Sequence, residues 1–102
     1  AEAAAAAAVA TSDGERPPFS LRVVEYHRQV APSVALPDPR HYDQDSLVTL
    51  DVLLSEPGPG GDFEGGEFRT LEADGRLRGY RVRRGDALVF VAHKFHCVAP
   101  VT

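Results

Sequence analysis

Residues 47–54 read LVTLDVLL, and the alternation in this stretch decides the fold class of the chain. Apolar residues occupy every second position from residue 48, and the polar residues Thr49 and Asp51 lie between them. This period of two is typical of a β-strand with one face buried and the other face in water. We expect the core-facing side of this strand to consist of Val48, Leu50, Val52 and Leu54.

The segments around this strand indicate several more short strands. Residues 21–26, 67–71 and 79–83 contain the β-branched and aromatic residues that strands favour. Residues 87–92 are continuously apolar, which predicts a strand covered on both faces, with a short buried helix as the other interpretation. Short strands at such close spacing predict an all-β sandwich or jelly roll.

Proline and glycine residues separate these strands. Three prolines predict that residues 31–40 form an irregular loop, and the prolines and glycines of residues 55–66 predict a long turn. Asp74-Gly75 predicts a hairpin turn, and Gly85-Asp86 predicts another turn before the last apolar run. Gly65-Gly66 is expected to allow a turn and a close approach between strands.

The length of the chain limits its domain organisation. Its 102 residues are enough for one small domain, which buries roughly 60% of its unfolded surface. We assign residues 1–18 to an alanine-rich lead-in and linker, because a run of about ten residues is at best a marginal helix. Residues 19–102 form a partial domain. Because the chain lacks Met and ends at Thr102, we expect it to be truncated at its C-terminus.

The composition argues against two classes of partner. A net charge of -4 and a pI near 5.5 argue against nucleic-acid binding, which normally requires a basic surface. No apolar run approaches the roughly 20 residues of a membrane-spanning helix, so no membrane partner is expected. Cys97 is the single cysteine, which excludes a disulfide within the chain and leaves the cellular compartment undecided.

The histidines provide the strongest indication of chemistry. His41 and Asp43 are two residues apart, so on an extended strand their side chains project to the same face. His96 can join them if a distant strand folds back. Two imidazoles and one carboxylate can occupy one face of an octahedral metal ion and leave the opposite face open, as in non-haem iron(II) oxygenases. His93 competes with His96 for this role, or is an exposed polar residue.

The order of several motifs resembles that of the iron(II)- and 2-oxoglutarate-dependent dioxygenases, specifically their prolyl 4-hydroxylase-like branch. The resemblance extends from about Leu21 to Thr102. It implies a double-stranded β-helix, which is a jelly roll, and it selects His96 over His93 because the distal ligand precedes x-Val-x-Pro-Val. The motifs are Tyr26, His41-x-Asp43, the alternating strand, Gly65-Gly66-Glu67-Phe68, residues 85–90 and His96-x-Val98-x-Pro100-Val101-Thr102.

The resemblance also implies a set of small molecules and their contacts. It implies that Fe(2+) is held by His41, Asp43 and His96, that 2-oxoglutarate is the co-substrate, and that L-ascorbate assists. Tyr26 matches a tyrosine that contacts 2-oxoglutarate, and Thr49 is a weaker candidate. The favoured reaction is hydroxylation of a carbon of a peptide, with prolyl peptides first, or of a small molecule.

The basic residue that grips the far carboxylate of 2-oxoglutarate normally follows Pro-Val-Thr in this family, and the chain ends at Thr102. Either that residue lies beyond Thr102 or another residue replaces it. Arg69 is a candidate replacement, because some members of the superfamily supply the basic group from that strand. The arginine-rich stretch 69–84 is otherwise interpreted as a solvated hairpin face.

Two alternatives remain open at this stage. A cupin-like metal enzyme without 2-oxoglutarate would require a third histidine, and His93 is the residue available for it. An inactive, truncated jelly-roll module would keep the sandwich but would not retain the co-substrate.

Overall fold

Every strand pair in the described part of this protein is antiparallel, and the strands form three sheets. The computed structural model describes residues 2–5 and 19–102, and within them the chain is all-β and contains no helix, so none could cross a membrane. The prediction of an all-β fold is confirmed. The strands are β1 (Glu2–Ala5), β2 (Val23–Tyr26), β3 (Leu36–His41), β4 (Val48–Val52), β5 (Phe68–Leu71), β6 (Leu77–Tyr80), β7 (Ala87–Val91) and β8 (His96–Val98).

The alanine-rich start of the chain contributes a strand. β1 pairs with β2 in a two-stranded sheet, with Glu2 opposite Tyr26 and Ala5 opposite Val23. We expected the alanine run to be at best a marginal helix, but Glu2–Ala5 form a strand, because pairing with β2 supplies backbone partners that an isolated alanine run lacks. The remainder of the predicted lead-in and linker lies outside the described residues.

The larger sheet has four strands in the order β3-β8-β5-β6. In β3, Leu36 pairs with Val98 and His41 pairs with His96, so residues 37–40 of β3 face a single residue of β8. The prolines in this segment have no N–H to donate to the ladder, and the strand bulges there. Our prediction of a loop over 31–40 was therefore wrong for Leu36–Arg40, which belong to β3.

The β5-β6 hairpin forms where Asp-Gly predicted it. Phe68 pairs with Tyr80 and Leu71 with Leu77, and the turn is closed by a hydrogen bond from the N–H of Gly75 to the carbonyl of Glu72. Gly75 has a φ of 81°, which a glycine adopts without steric cost. The sequence therefore predicted both the position and the turn residue of this hairpin.

The alternating strand β4 pairs with β7, but its faces are reversed relative to our expectation. The apolar side of β4 is exposed, and the exposed fraction of Leu50 is 59%. Thr49 lies opposite Phe90 in the register and is half-buried. In β7 the burial also alternates, so the prediction of a strand covered on both faces was wrong. Alternation indicated a strand correctly, but it did not indicate which face is inside.

The core lies between the four-stranded sheet and the β4-β7 pair. The rings of Phe68 and Phe90 bring the two sheets together, with centroids 5.2 Å apart. His96 packs against both rings. The buried residues of the described chain are Phe68, Thr70, Ala92, His96, Cys97 and Val101. A histidine therefore occupies the centre of a small core.

Gly65 and Gly66 hold the end of the chain against the turn that precedes β5. Both have positive φ angles, of 72° and 68°, and the N–H of Gly66 donates to the carbonyl of Pro100 at 2.9 Å. A Cβ on Gly65 would overlap the Pro100 carbonyl oxygen. The expectation that these glycines allow a turn and a close backbone approach is confirmed.

Gly65→Ala is expected to lower the free energy of unfolding by about 3 kcal/mol, since it adds a steric overlap to the cost of a positive φ. Gly75→Ala is the matched control, because Gly75 also has a positive φ but its Cβ would meet nothing within 4 Å. The control is expected to cost about 1 kcal/mol. Urea unfolding midpoints measure both, and equal losses would contradict the close approach at Pro100.

Candidate metal centre

His41 and Asp43 are placed by the end of β3 and by the neighbouring β4-β7 sheet. His41 is the last residue of β3, and the N–H of Asp43 donates to the carbonyl of Ala92 at 2.8 Å, just beyond β7. Tyr42, between them, packs against His93 instead. The two ligand candidates therefore share one side of the chain, as their spacing predicted, and Asp43 is fixed to the opposite sheet.

The side chain of His96 is more deeply buried than that of His41 or Asp43. Its exposed fraction is 4%, its ring stacks on Phe68 at 5.5 Å, and Phe90 meets it edge-on at 4.8 Å. The Nδ1–H of His96 donates to the carbonyl oxygen of Lys94 at 2.8 Å. This hydrogen bond selects the tautomer in which Nε2 carries the free lone pair, which is the form that binds a metal ion.

The three side chains meet at one point. Asp43 Oδ1 lies 3.2 Å from His41 Nε2 and 3.6 Å from His96 Nε2, and the two imidazole rings are 5.0 Å apart in an edge-on arrangement. Ligand atoms about 2.1 Å from an ion and at right angles to one another lie about 3 Å apart. Among the described residues, His41, Asp43 and His96 are the one such group of possible metal ligands. Their donor set and spacing fit a metal ion.

Thr49 supports the carboxylate of this group. Its hydroxyl donates to Asp43 Oδ2 at 2.6 Å, which leaves Oδ1 directed at the two histidines. A hydrogen bond of this kind fixes the orientation of a metal-binding carboxylate and is part of the design of such sites. We expected the Thr49 hydroxyl to contact a co-substrate. In this structure it donates its hydrogen bond to Asp43 instead.

The other two co-substrate candidates lie on strands that do not carry the metal-ligand candidates. Tyr26 is 52% exposed on β2, which pairs with β1. Arg69 forms an ion pair with Glu67 at 2.7 Å and is paired in register with Cys97. Because side chains alternate along a strand, Arg69 projects from the opposite face of the sheet to Thr70 and His96. The structure does not bring Arg69 to the metal ligands.

The neighbours of His96 along the chain are also separated from the site. His93 is exposed, packs on Tyr42 and is not part of the ligand group. Cys97 is buried in register with Arg69, on the face of β8 away from His96. Burial raises the pKa of the Cys97 thiol. A third histidine ligand, which a cupin-like enzyme would need, is therefore not supplied by His93.

Sequence reasoning missed the residues that surround His96. Phe68 and Phe90 appeared in predicted strands and in the quoted motifs without a role at the site, and the carbonyl of Lys94 carries no side-chain signal at all. The relative placement of the two aromatic rings depends on how the two sheets pack. Their roles could not be found from periodicity alone.

Asp51 brings a second carboxylate towards the centre. It lies two residues after Thr49 on β4, so it projects from the same face of that strand. Desolvation raises the pKa of the Asp51 carboxyl, and the nearby Asp43 carboxylate raises it further. His96 and His27 act in the opposite direction. Loss of hydration, with the Asp43 charge adding to it, therefore makes the ionised form of Asp51 less favourable in the folded chain.

Comparisons with family models, with curated proteins and with solved structures gave no match for this chain. The indications of function are therefore the geometry of the site and the order of the motifs.

Asp51→Asn is expected to stabilise the metal-free protein at pH 7. A carboxyl whose pKa is higher in the folded than in the unfolded chain opposes folding once it is ionised. The cost is absent below the ordinary value of 3.8 and develops as the pH rises through the folded pKa. Urea unfolding at pH 7 and at pH 3 measures the difference, and a gain that is equal at both pH values would contradict this origin.

Proposed function

We propose that this protein is an iron(II)- and 2-oxoglutarate-dependent dioxygenase. The observation that carries the proposal is the convergence of His41, Asp43 and His96, with Asp43 Oδ1 at 3.2 Å and 3.6 Å from the two Nε2 atoms. Two imidazoles and one carboxylate, with no fourth ligand from the described residues, leave coordination positions open for small molecules. The order of motifs along the chain supports the same reaction class.

The proposed fold is a jelly roll, in which one long antiparallel hairpin is wound into two sheets. Its support is the nesting of the strand pairs, since β3 pairs with β8, β4 with β7 and β5 with β6. The pairing of β5 with β8 joins the outer and inner pairs of this hairpin into one sheet. In such a winding, residues distant in sequence converge between the sheets, as His41 and His96 do.

In the proposed site each residue has a physical task. His41, Asp43 and His96 would hold the metal ion, and the Thr49 hydroxyl keeps Asp43 Oδ1 directed at it. The Lys94 carbonyl accepts the hydrogen bond from Nδ1–H of His96, so Nε2 is the ring nitrogen directed at the metal position. Phe68 and Phe90 exclude water from the imidazole. These contacts fix the ligands before the ion binds, so little ordering remains to be done on binding.

The bound groups supply the chemistry that the side chains lack. Iron(II) with 2-oxoglutarate supplies activation of oxygen for hydroxylation of an unactivated carbon, with L-ascorbate as an auxiliary reductant. The substrate class favoured by the resemblance is a prolyl peptide, with a small molecule as the other candidate. Tyr26 remains a proposed contact of the co-substrate.

His96→Ala is expected to weaken metal binding by at least about tenfold, because it removes a ligand that is already oriented in the folded protein. His93→Ala is the matched control, since His93 lies three residues away and outside the ligand group. Calorimetric titration with Co²⁺, a redox-stable substitute for Fe²⁺, measures both affinities. Equal losses in the two variants would refute this ligand set, and a loss in His93→Ala alone would favour the cupin-like alternative.

Conversion of 2-oxoglutarate to succinate tests the reaction class. With added iron(II) and ascorbate, the unsubstituted protein is expected to form succinate, and Asp43→Ala is expected to form none because one metal ligand is lost. Zinc suits the same donor set, but it cannot support this redox reaction. Tight binding of metal without any succinate would favour a binding module over an enzyme.

A further inference from the structure

The strand β6 forms a free edge of the larger sheet. It is the last strand in the order β3-β8-β5-β6, and no strand of the described chain pairs with its other side. The N–H of Glu72 donates to the carbonyl of Arg76, so the alternation of an antiparallel pair directs the backbone groups of Arg76 and Arg78 towards β5. Those of Leu77 and Gly79 therefore point away from the sheet. Unpaired backbone groups at an edge are a template for another strand.

The opposite edge of the same sheet is closed to such pairing. It is formed by β3, which contains Pro37 and Pro39 and has an irregular register with β8. Prolines and bulges protect edge strands, because they remove backbone donors and bend the strand. β6 contains no proline, and its register with β5 is regular from Leu77 to Tyr80. Of the two edges of this sheet, β6 is therefore the one that can accept a further strand.

Arginines surround this free edge. Residues 76–84 contain five arginines and no acidic residue. Arg83 is paired with Glu56 at 3.2 Å, and Arg78 interacts with the carboxylate of Glu72. The other three form no ion pair with a described residue, and they are Arg76, Arg81 and Arg84. The edge therefore carries positive charge that the described part of the chain does not neutralise.

The acidic residues beside this edge are engaged by other groups. Asp74 and Asp86 lie in the turns at the two ends of the segment, where each accepts a hydrogen bond from a backbone N–H. Three further carboxylates form ion pairs with basic side chains, and these pairs are Glu72 with Lys94, Glu67 with Arg69, and Glu56 with Arg83. A carboxylate from another molecule therefore meets little competition for Arg76 and Arg81.

The charge of the edge decides which kind of strand it accepts. A second copy of this chain would bring β6 against β6, and like charges directly opposite each other destabilise a strand pair. A nucleic acid lacks the alternating N–H and carbonyl groups that a strand edge requires, and the chain as a whole has a net charge of -4. An extended peptide with acidic side chains supplies both the backbone groups and the complementary charge.

We propose that the free edge of β6 binds an extended acidic segment of a partner protein as an additional strand. The backbone groups of Leu77 and Gly79 would form hydrogen bonds with this segment, and Arg76 and Arg81 would pair with its carboxylates. This docking surface is separate from the candidate metal centre, whose two histidines lie on β3 and β8. It requires neither metal nor co-substrate.

Fluorescence anisotropy of labelled peptides tests this docking surface. The first probe is a peptide of about seven alternating Glu and Val residues, which has the length of a typical strand. The second probe has Lys in place of Glu, and the third keeps Glu but carries a methyl group on every backbone nitrogen. The first probe is expected to bind saturably. Each of the others is expected to bind at least about tenfold more weakly, because one loses the charge pairs and the other loses the backbone hydrogen bonds.

Two variants of the protein locate the binding surface. The double substitution Arg76→Ala and Arg81→Ala is expected to weaken binding of the first probe by about fivefold or more, since two exposed charge pairs are lost. Arg40→Ala is the matched control, because Arg40 is an exposed arginine on the opposite edge strand, and its loss is expected to change the affinity by less than about twofold. All three positions are exposed, so both variants are expected to fold.

Each other outcome would overturn a stated part of this docking surface. Absence of saturable binding by the acidic peptide would overturn it altogether, and equal affinity of the N-methylated peptide would overturn the strand pairing. Equal losses in the double variant and in Arg40→Ala would overturn recognition by the β6 arginines. Tighter binding of a single-stranded oligonucleotide of the same charge would overturn the peptide as the partner. Because the titrations contain neither metal nor 2-oxo acid, these results are independent of the metal centre.

Discussion

The burial of the His96 imidazole between two aromatic rings is the constraint on which the rest of the structure depends. The ring lies against Phe68 of its own sheet and Phe90 of the facing sheet, and its Nδ1–H is satisfied by the Lys94 carbonyl. A buried polar group without such a partner would cost about 1–3 kcal/mol. The contacts that bury His96 therefore form the core of this small domain and also position a residue of the candidate site.

Asp43 extends this constraint from one sheet to the other. Its backbone N–H is hydrogen-bonded to the Ala92 carbonyl just beyond β7, and its side chain accepts a hydrogen bond from the Thr49 hydroxyl of β4, while Oδ1 faces the two histidines. Any displacement of the β4-β7 pair would therefore change the distance between Asp43 and His96. Because an ion that bridges the two sheets would oppose such displacement, metal binding and folding stability should be linked.

The polar residues of β4 are on the side of the strand that faces the candidate metal centre. Thr49 reaches Asp43, and Asp51 follows it on the same side, so the apolar side of the strand is turned outwards. An alternating pattern does not distinguish a hydrophobic core from a polar site between two sheets. This ambiguity explains why the strand was predicted correctly and its orientation was not. Functional sites are where such local rules are expected to fail.

The sequence by itself determined the all-β class, the turn glycines and the placement of His41 and Asp43 on one side of the chain. These features follow from local properties, namely the alternation of apolar and polar residues, the positive φ that glycine permits, and the separation of His41 and Asp43 by two residues. Only the tertiary structure decided that His96 meets them, that β4 presents Thr49 to Asp43, and that Arg69 lies on the face of the sheet opposite to His96. Those outcomes depend on strand register and sheet packing, and the register of distant strands is set by contacts that no local pattern contains.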